Sequence, residues 1–315
     1  NTLIEAAEVA KREQVDFLLA VGGGSVMDGT KFISMAAKVD ANEYSGLLNH
    51  GFAPVPVTEV VPLGCVVTLP ATGSEANLFG VVTKDHQKRP FASPLVFPKF
   101  SFLDPELTKT LPSKQIANGV TDAFVHVTEY YLTYPVNAKV QDRIAEGVLQ
   151  TLIEDGPVTY KDNNNIEARK NFIWSATNAL NGSIGAGTPG DFATHMIGHE
   201  LTALFGIDHG RTLAIVLPSL LRERKDKKRE KLLQFAERVW HITDGSADEK
   251  IDLAIDKTEQ FFNSLDVPTT LSAYDIGDEG IEKVIANLEN LGMTALSETG
   301  DLTLDIVRKI LTSAK

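Results

Sequence analysis

The 315 residues carry 30 Lys and Arg against 42 Asp and Glu, a formal charge of −12, with 43% hydrophobic and 23% charged residues. That acidic balance argues against a nucleic-acid binder and an anionic membrane surface, and the apolar share argues against wholesale disorder. A single cysteine, Cys65, excludes an intrachain disulfide, and no apolar stretch approaches the ~20 residues of a membrane span. With no signal peptide at the start, the expectation is a soluble, cytoplasmic protein of two domains.

In chain order, a helix is expected over about 3–13, then a strand in the apolar run Val15 to Val21, closed by Gly22-Gly23-Gly24. Such a run suits a strand buried on both faces, as in a parallel sheet flanked by helices. A helix over 26–37 follows, then a strand at Cys65 to Leu69 stopped by Pro70, with weaker strands at 79–83 and 100–103. Strands alternating with helices predict an α/β domain over 1–105. Beyond it helical periodicity dominates. Val140, Ile144, Val148, Leu149, Leu152 and Ile153 share one face of a segment expected to end at Gly156. Further helices are expected at about 166–182, 190–205, 211–222, 229–241, 247–265, 280–291 and 303–313, so residues 106–315 read as an all-α domain. Arg222 to Lys231, with seven basic and three acidic residues, reads as a solvated helix end or turn, the alternative being an electrostatic docking patch. Asn1 is not an initiator methionine and few strands flank the first one, so a preceding segment is expected to be missing.

Two loops point to an anion. Strand, Gly22-Gly23-Gly24-Ser25, then helix aims backbone N–H groups and a helix N-terminus at a phosphate, with Asp28 on the first turn. Thr68-Leu69-Pro70-Ala71-Thr72-Gly73-Ser74-Glu75 follows the second strand with three hydroxyls around one glycine. Parallel strands end on one edge of a sheet, where ligands collect. The competing readings are a tight turn without ligand and hydroxyls that cap a helix. Cys65, mid-strand, reads as a small core hydrophobe.

A metal is suggested by spacing. Asp122 and His126 stand at i and i+4, as do His195 and His199, and His209 follows shortly after. One carboxylate with several imidazoles suits Zn²⁺ or Fe²⁺; the alternative is histidines that cap helices or pack in a polar seam. No H-E-x-x-H follows His199 and there is no G-x-S-x-G, which argues against a zincin protease or a serine hydrolase.

Taken together, Gly22 to Asp28, Thr68 to Glu75, Gly119 to His126 and His195 to His209 resemble the iron-containing (group III) alcohol dehydrogenase family. Within it, Gly190 to Thr202 is similar to the NADPH-dependent butanol dehydrogenase or aldehyde reductase branch. The resemblance implies a truncated Rossmann-like parallel sheet followed by a helical domain, in a dehydroquinate synthase-like architecture. It implies Asp122, His126, His195 and His209 as ligands of one Fe²⁺ or Zn²⁺, and His199 as a non-ligand lining the site. It assigns Gly22, Gly23, Gly24, Ser25, Asp28, Thr68, Thr72, Ser74 and Lys88 to the cofactor, NADP(H) ahead of NAD(H). The implied reaction is hydride transfer between small aldehydes and primary alcohols, with His199 or a water delivering the proton, in a homodimer. The alternatives are a glycerol-type dehydrogenase or a sugar-phosphate cyclase of the same architecture, a non-redox metal-dependent hydrolase, and an inactive fragment or binding protein.

Overall fold

The structure, a computed structural model, describes residues 2–84 and 87–315, so His86 lies outside the described residues. Helix α1 (Thr2–Arg12) leads to strand β1 (Leu18–Gly22), which runs directly into helix α2 (Gly24–Ala36). Strand β2 (Leu63–Val67), the antiparallel pair β3 (Phe79–Lys84) and β4 (Gln87–Ala92), and the short β5 (Ser101–Phe102) follow. The remainder is helical: α3 (Ser113–Tyr131), α4 (Lys139–Lys161), α5 (Ile166–Leu180), α6 (Ala193–Phe205), α7 (His209–Glu223), α8 (Arg229–Arg238), α9 (Ala247–Ser264) and α10 (Asp278–Asn290). A two-residue pair, β6 (Ala295–Leu296) and β7 (Leu302–Thr303), precedes α11 (Leu304–Ser313). That small ribbon is a departure from the purely helical second half expected.

The main sheet is parallel in the order β1-β2-β5, with Ala20 beside Cys65 and Cys65 beside Ser101. Cys65 is fully buried, and burial pushes its thiol up to about 11, consistent with a core role. The expectation of two covered faces is corrected. Leu19 and Val21 point away from α2 and are 53% and 56% exposed, because no helix among the described residues lies on that side. Phe17, Phe100 and Phe102 share the uncovered surface, with Phe17 and Phe100 stacked at 5.7 Å and Phe100 against Phe102 at 5.5 Å. The strand at 79–83 exists, but it pairs antiparallel with β4 instead of extending the parallel sheet.

Two cores result. One joins α1, α2, β1 and β2 through Met27, Phe32, Met35, Leu63 and Val67; the larger runs through the helices from Ile116 to Ala314. Helix α4 does not stop at Gly156 but continues through Pro157 to Lys161. Pro157 removes a single N–H from the ladder, whereas continuing buries Thr159 and keeps Gly156 tight against Val120 of α3. The basic run is the helix end and turn expected, but it is only partly solvated. Arg224, Lys228 and Lys231 are buried and pair with Asp301, with Asp191 and Glu298, and with Asp142. Arg222, Lys225 and Arg229 reach acids of α9.

Candidate active site

Helix α3 is the spine of the site. Asn118, Asp122, His126 and Glu129 stand four, four and three residues apart, one stripe on a helix of 3.6 residues per turn. The stripe faces α6, which supplies His195 and His199, and α7, which starts at His209. The approach is close enough to require glycine: a Cβ on Gly210 would stand 2.4 Å from the carbonyl oxygen of Asn118. Asn118 also donates to Asp208 at 3.0 Å, fixing the residue before His209.

Around one carboxylate oxygen, Asp122 Oδ1, the structure gathers His195 Nε2 at 3.5 Å, His209 Nε2 at 3.6 Å and His126 Nδ1 at 3.7 Å. Donors bound at ~2.1 Å around a tetrahedral ion stand about 3.4 Å from one another, so the spacing fits one cation. Asp122, His195 and His209 form the tighter group, each offering an atom within 4.8 Å of the others; His126 stacks on His195 with ring centres 4.4 Å apart. Asp122 Oδ1, His126 Nδ1 and His195 Nε2 are buried without any hydrogen-bond partner. Buried polar atoms are rarely left so, and a divalent cation would satisfy all three. Burial pushes His126 down to about 4 and His209 down to about 3, leaving neutral donors. Burial also opposes charge on His195, but Glu129 and Asp122 overcome it and raise that imidazole to about 10.

Glu129 was not singled out from the sequence. Its two oxygens both serve His195: Oε1 accepts the backbone N–H at 3.1 Å, and Oε2 bonds Nδ1. The signal was its place seven residues after Asp122, on the same face.

His199 lies in the same pocket, its ring 4.9 Å from His209 and 6.1 Å from His195. Burial, with His209, His195 and Lys88 close by, drives its pKa well below the ordinary histidine value. In this setting it is a neutral imidazole, able to donate at one nitrogen and accept at the other.

The two loops open on the same cleft, a cavity of about 830 Å³ lined by Gly23, Gly24, Ser25, Thr72, Lys88 and the Asp122–histidine cluster. The first N–H groups of α2 face it, with Gly23 at the N-cap position. Thr72 packs directly on Gly24, where a Cβ would lie 2.5 Å from its methyl group. Helix α3 touches the second loop as closely: a Cβ on Gly119 would stand 2.3 Å from the carbonyl oxygen of Pro70. Gly22 and Thr68 lie outside the lining; Gly22 is the last residue of β1, and its carbonyl accepts from Thr68 N–H at 3.0 Å. Asp28 borders the cleft, but its carboxylate is used internally, accepting from Ser74 Oγ at 2.7 Å and Val81 N–H at 2.8 Å. Beneath it, fully buried Lys31 donates to the Asn77 carbonyl at 3.0 Å, Asn77 Oδ1 at 2.9 Å and the Phe79 carbonyl at 2.7 Å.

The far wall is aromatic and was not legible in the sequence. Phe192 meets Tyr130 edge-on at 5.1 Å and lies 5.8 Å from the His195 ring. Its backbone is left-handed, φ 52°, an unusual conformation for a bulky residue. The neighbouring Asp191 holds it there, bonded through its N–H to the Glu129 carbonyl and through its carboxylate to Lys228.

Comparison with known proteins points in the same direction. Residues 1–105 match the family model described as iron-containing alcohol dehydrogenase, and residues 116–313 match the C-terminal model of the same family. The chain is 53% identical to the NADPH-dependent aldehyde reductase YqhD of Escherichia coli K12, over its whole length and 82% of that protein. It is 39% identical to a probable NADH-dependent butanol dehydrogenase of Bacillus subtilis, covering 90% of this chain and 73% of that one. The crystal structure of E. coli YqhD superposes with a TM-score of 0.96, covering all of this chain and 81% of that one. That of NADH-dependent butanol dehydrogenase A of Thermotoga maritima, 32% identical, superposes at 0.92, covering 99% and 79%.

Proposed function

This chain belongs to the iron-containing alcohol dehydrogenase family and is a metal-dependent oxidoreductase that interconverts aldehydes and alcohols; on that premise, we propose how its own residues divide the work. The observation that carries the reading is the shared cleft, lined by both the glycine-rich N-terminus of α2 and a convergent Asp122–histidine cluster.

When bound, the divalent cation polarises a carbonyl oxygen and the nicotinamide dinucleotide supplies the hydride. Asp122, His126, His195 and His209 would hold the cation, three nitrogens and one oxygen that leave it a net positive charge. Gly23, Gly24 and Ser25 would hold the pyrophosphate against the start of α2, with Thr72 opposite. Lys88 would add positive charge to this end; burial lowers its pKa. Tyr130 and Phe192 would exclude water from the substrate, favouring small apolar aldehydes and primary alcohols. His199 would pass a proton to the product oxygen from one ring nitrogen and recover one at the other.

NADP(H) is favoured over NAD(H) by the 53% relative, whereas the butanol dehydrogenases that are 32–39% identical are described as NADH-dependent. Iron follows from the family; the donor set equally suits zinc, which binds such sites more tightly. A homodimer belongs to this reading on family grounds alone.

The experiment is a titration of metal-loaded protein with NADPH followed by fluorescence, then butanal with absorbance recorded. Binding followed by loss of the reduced-nicotinamide absorbance is expected. Binding of the metal without any binding of the dinucleotide would overturn the reading in favour of a hydrolase.

A further inference from the structure

We propose that Glu129 is a positioning residue of the metal centre, which fixes the ring of His195 so that Nε2 is presented to the cation. The inference rests on the functional reading above, since it takes the Asp122–histidine cluster as that cation's site.

Three observations carry it. Glu129 is 3% exposed, and both of its oxygens are spent on His195, one on the backbone N–H and one on Nδ1. A buried carboxylate that accepts at Nδ1 fixes a proton there, so when a cation displaces the other proton the lone pair presented to it is on Nε2. That nitrogen is unpartnered and stands 3.5 Å from Asp122 Oδ1, on the side away from Glu129. Imidazole ligands are commonly held from behind by a carboxylate in this way.

The backbone bond gives Glu129 a second task. Phe192 occupies the N-cap position of α6 and has no side chain able to cap it. His195 is the third residue of that helix, and its N–H is one of the orphan donors a capping side chain ordinarily satisfies. Here the cap comes from another helix. Asp191 caps the first N–H of α6, and the carboxylate of Glu129 on α3 both caps the third and sets the ring orientation of that helix's first histidine, tying two elements that each carry ligands.

Glu129→Gln separates the two tasks. The amide oxygen can still accept the backbone N–H, but the NH₂ group now faces Nδ1 and is satisfied only if that nitrogen gives up its proton. The proton then moves to Nε2 and blocks the lone pair. Zn²⁺ affinity is measured by competition with a chelator, alongside thermal unfolding of the metal-free protein. The variant is expected to bind Zn²⁺ about 10- to 100-fold more weakly while melting close to wild type. Unchanged Zn²⁺ affinity would overturn the proposal. If the variant does not fold, ¹⁵N NMR of the Zn²⁺-loaded wild type decides the matter: a proton on Nδ1 of His195 is expected, and a proton on Nε2 refutes it. Failure of the wild type to bind Zn²⁺ through this cluster would instead remove the functional reading itself.

Discussion

Lys31 and Asp28 occupy neighbouring turns of α2 beneath the cleft, and neither was expected to be internal scaffolding. Burial lowers the Lys31 amine to about 8, partly offset by Asp28. Above about 8 the folded state sheds a proton that an ordinary lysine keeps to about 10.5, so the unfolded chain binds more protons and stability rises with pH across that window. Lys31→Met should lack this rise, and the stability gap between wild type and variant should widen from about pH 7 to about pH 10 in urea unfolding. Near neutrality the variant should lose roughly 2–4 kcal/mol, because carbonyls of Asn77 and Phe79 are left without their donor. His199→Ala carries a different expectation: metal content unchanged and turnover reduced by about 10²- to 10⁴-fold, read by metal analysis and steady-state rates on one sample. Loss of metal would move His199 into the ligand set. Residues at i and i+4 made Asp122, His126, His195 and His199 readable in advance. The Tyr130–Phe192 contact was not readable, because 62 positions separate its members and only the folded chain brings them together.

Helices and strands were legible where a periodic apolar face coincides with clear end signals, as in α9, whose Ser246–Glu249 capping box marks its start. Legibility failed where a distant contact overrode a local signal. Gly156-Pro157 is a plausible stop until Val120 packs against it, and residues 79–84 look like any β run until β4 pairs with them antiparallel. The two close approaches of α3 give a paired test. Gly119→Ala pushes on the Pro70 carbonyl and should loosen the dinucleotide loop, weakening NADPH binding and lowering stability by about 1–3 kcal/mol. Gly210→Ala pushes on the Asn118 carbonyl and should displace His209, weakening Zn²⁺ binding instead. Fluorescence titration and chelator competition on both variants distinguish the two effects; identical profiles would show that α3 transmits the strain to both ends of the cleft.

At the scale of the molecule, the two cores meet through few polar links, and one of them is internal. Thr177 of α5 donates to Glu75 Oε1 at 2.5 Å, while Oε2 of the same buried carboxylate has no partner. Burial raises the pKa of Glu75, only partly countered by the Thr177 bond. Thr177→Val should cost about 1–3 kcal/mol by leaving that carboxyl wholly unpaired, measured as the shift in the urea midpoint, with the loss concentrated at high pH where the carboxyl is charged. The general plan, a parallel sheet then a helical bundle, could be foreseen because strand-type runs stop near Pro105. The extent to which the sheet is clothed could not, because one strand's sequence does not say how many layers lie over it.

That unclothed side has a practical consequence. Among the described residues, Phe17, Leu19, Val21, Phe100 and Phe102 form a greasy ledge beside β1, the edge strand of the sheet. A sample of this polypeptide should stain with ANS in its native state and scatter more light as it is concentrated, despite a net charge that would otherwise keep molecules apart.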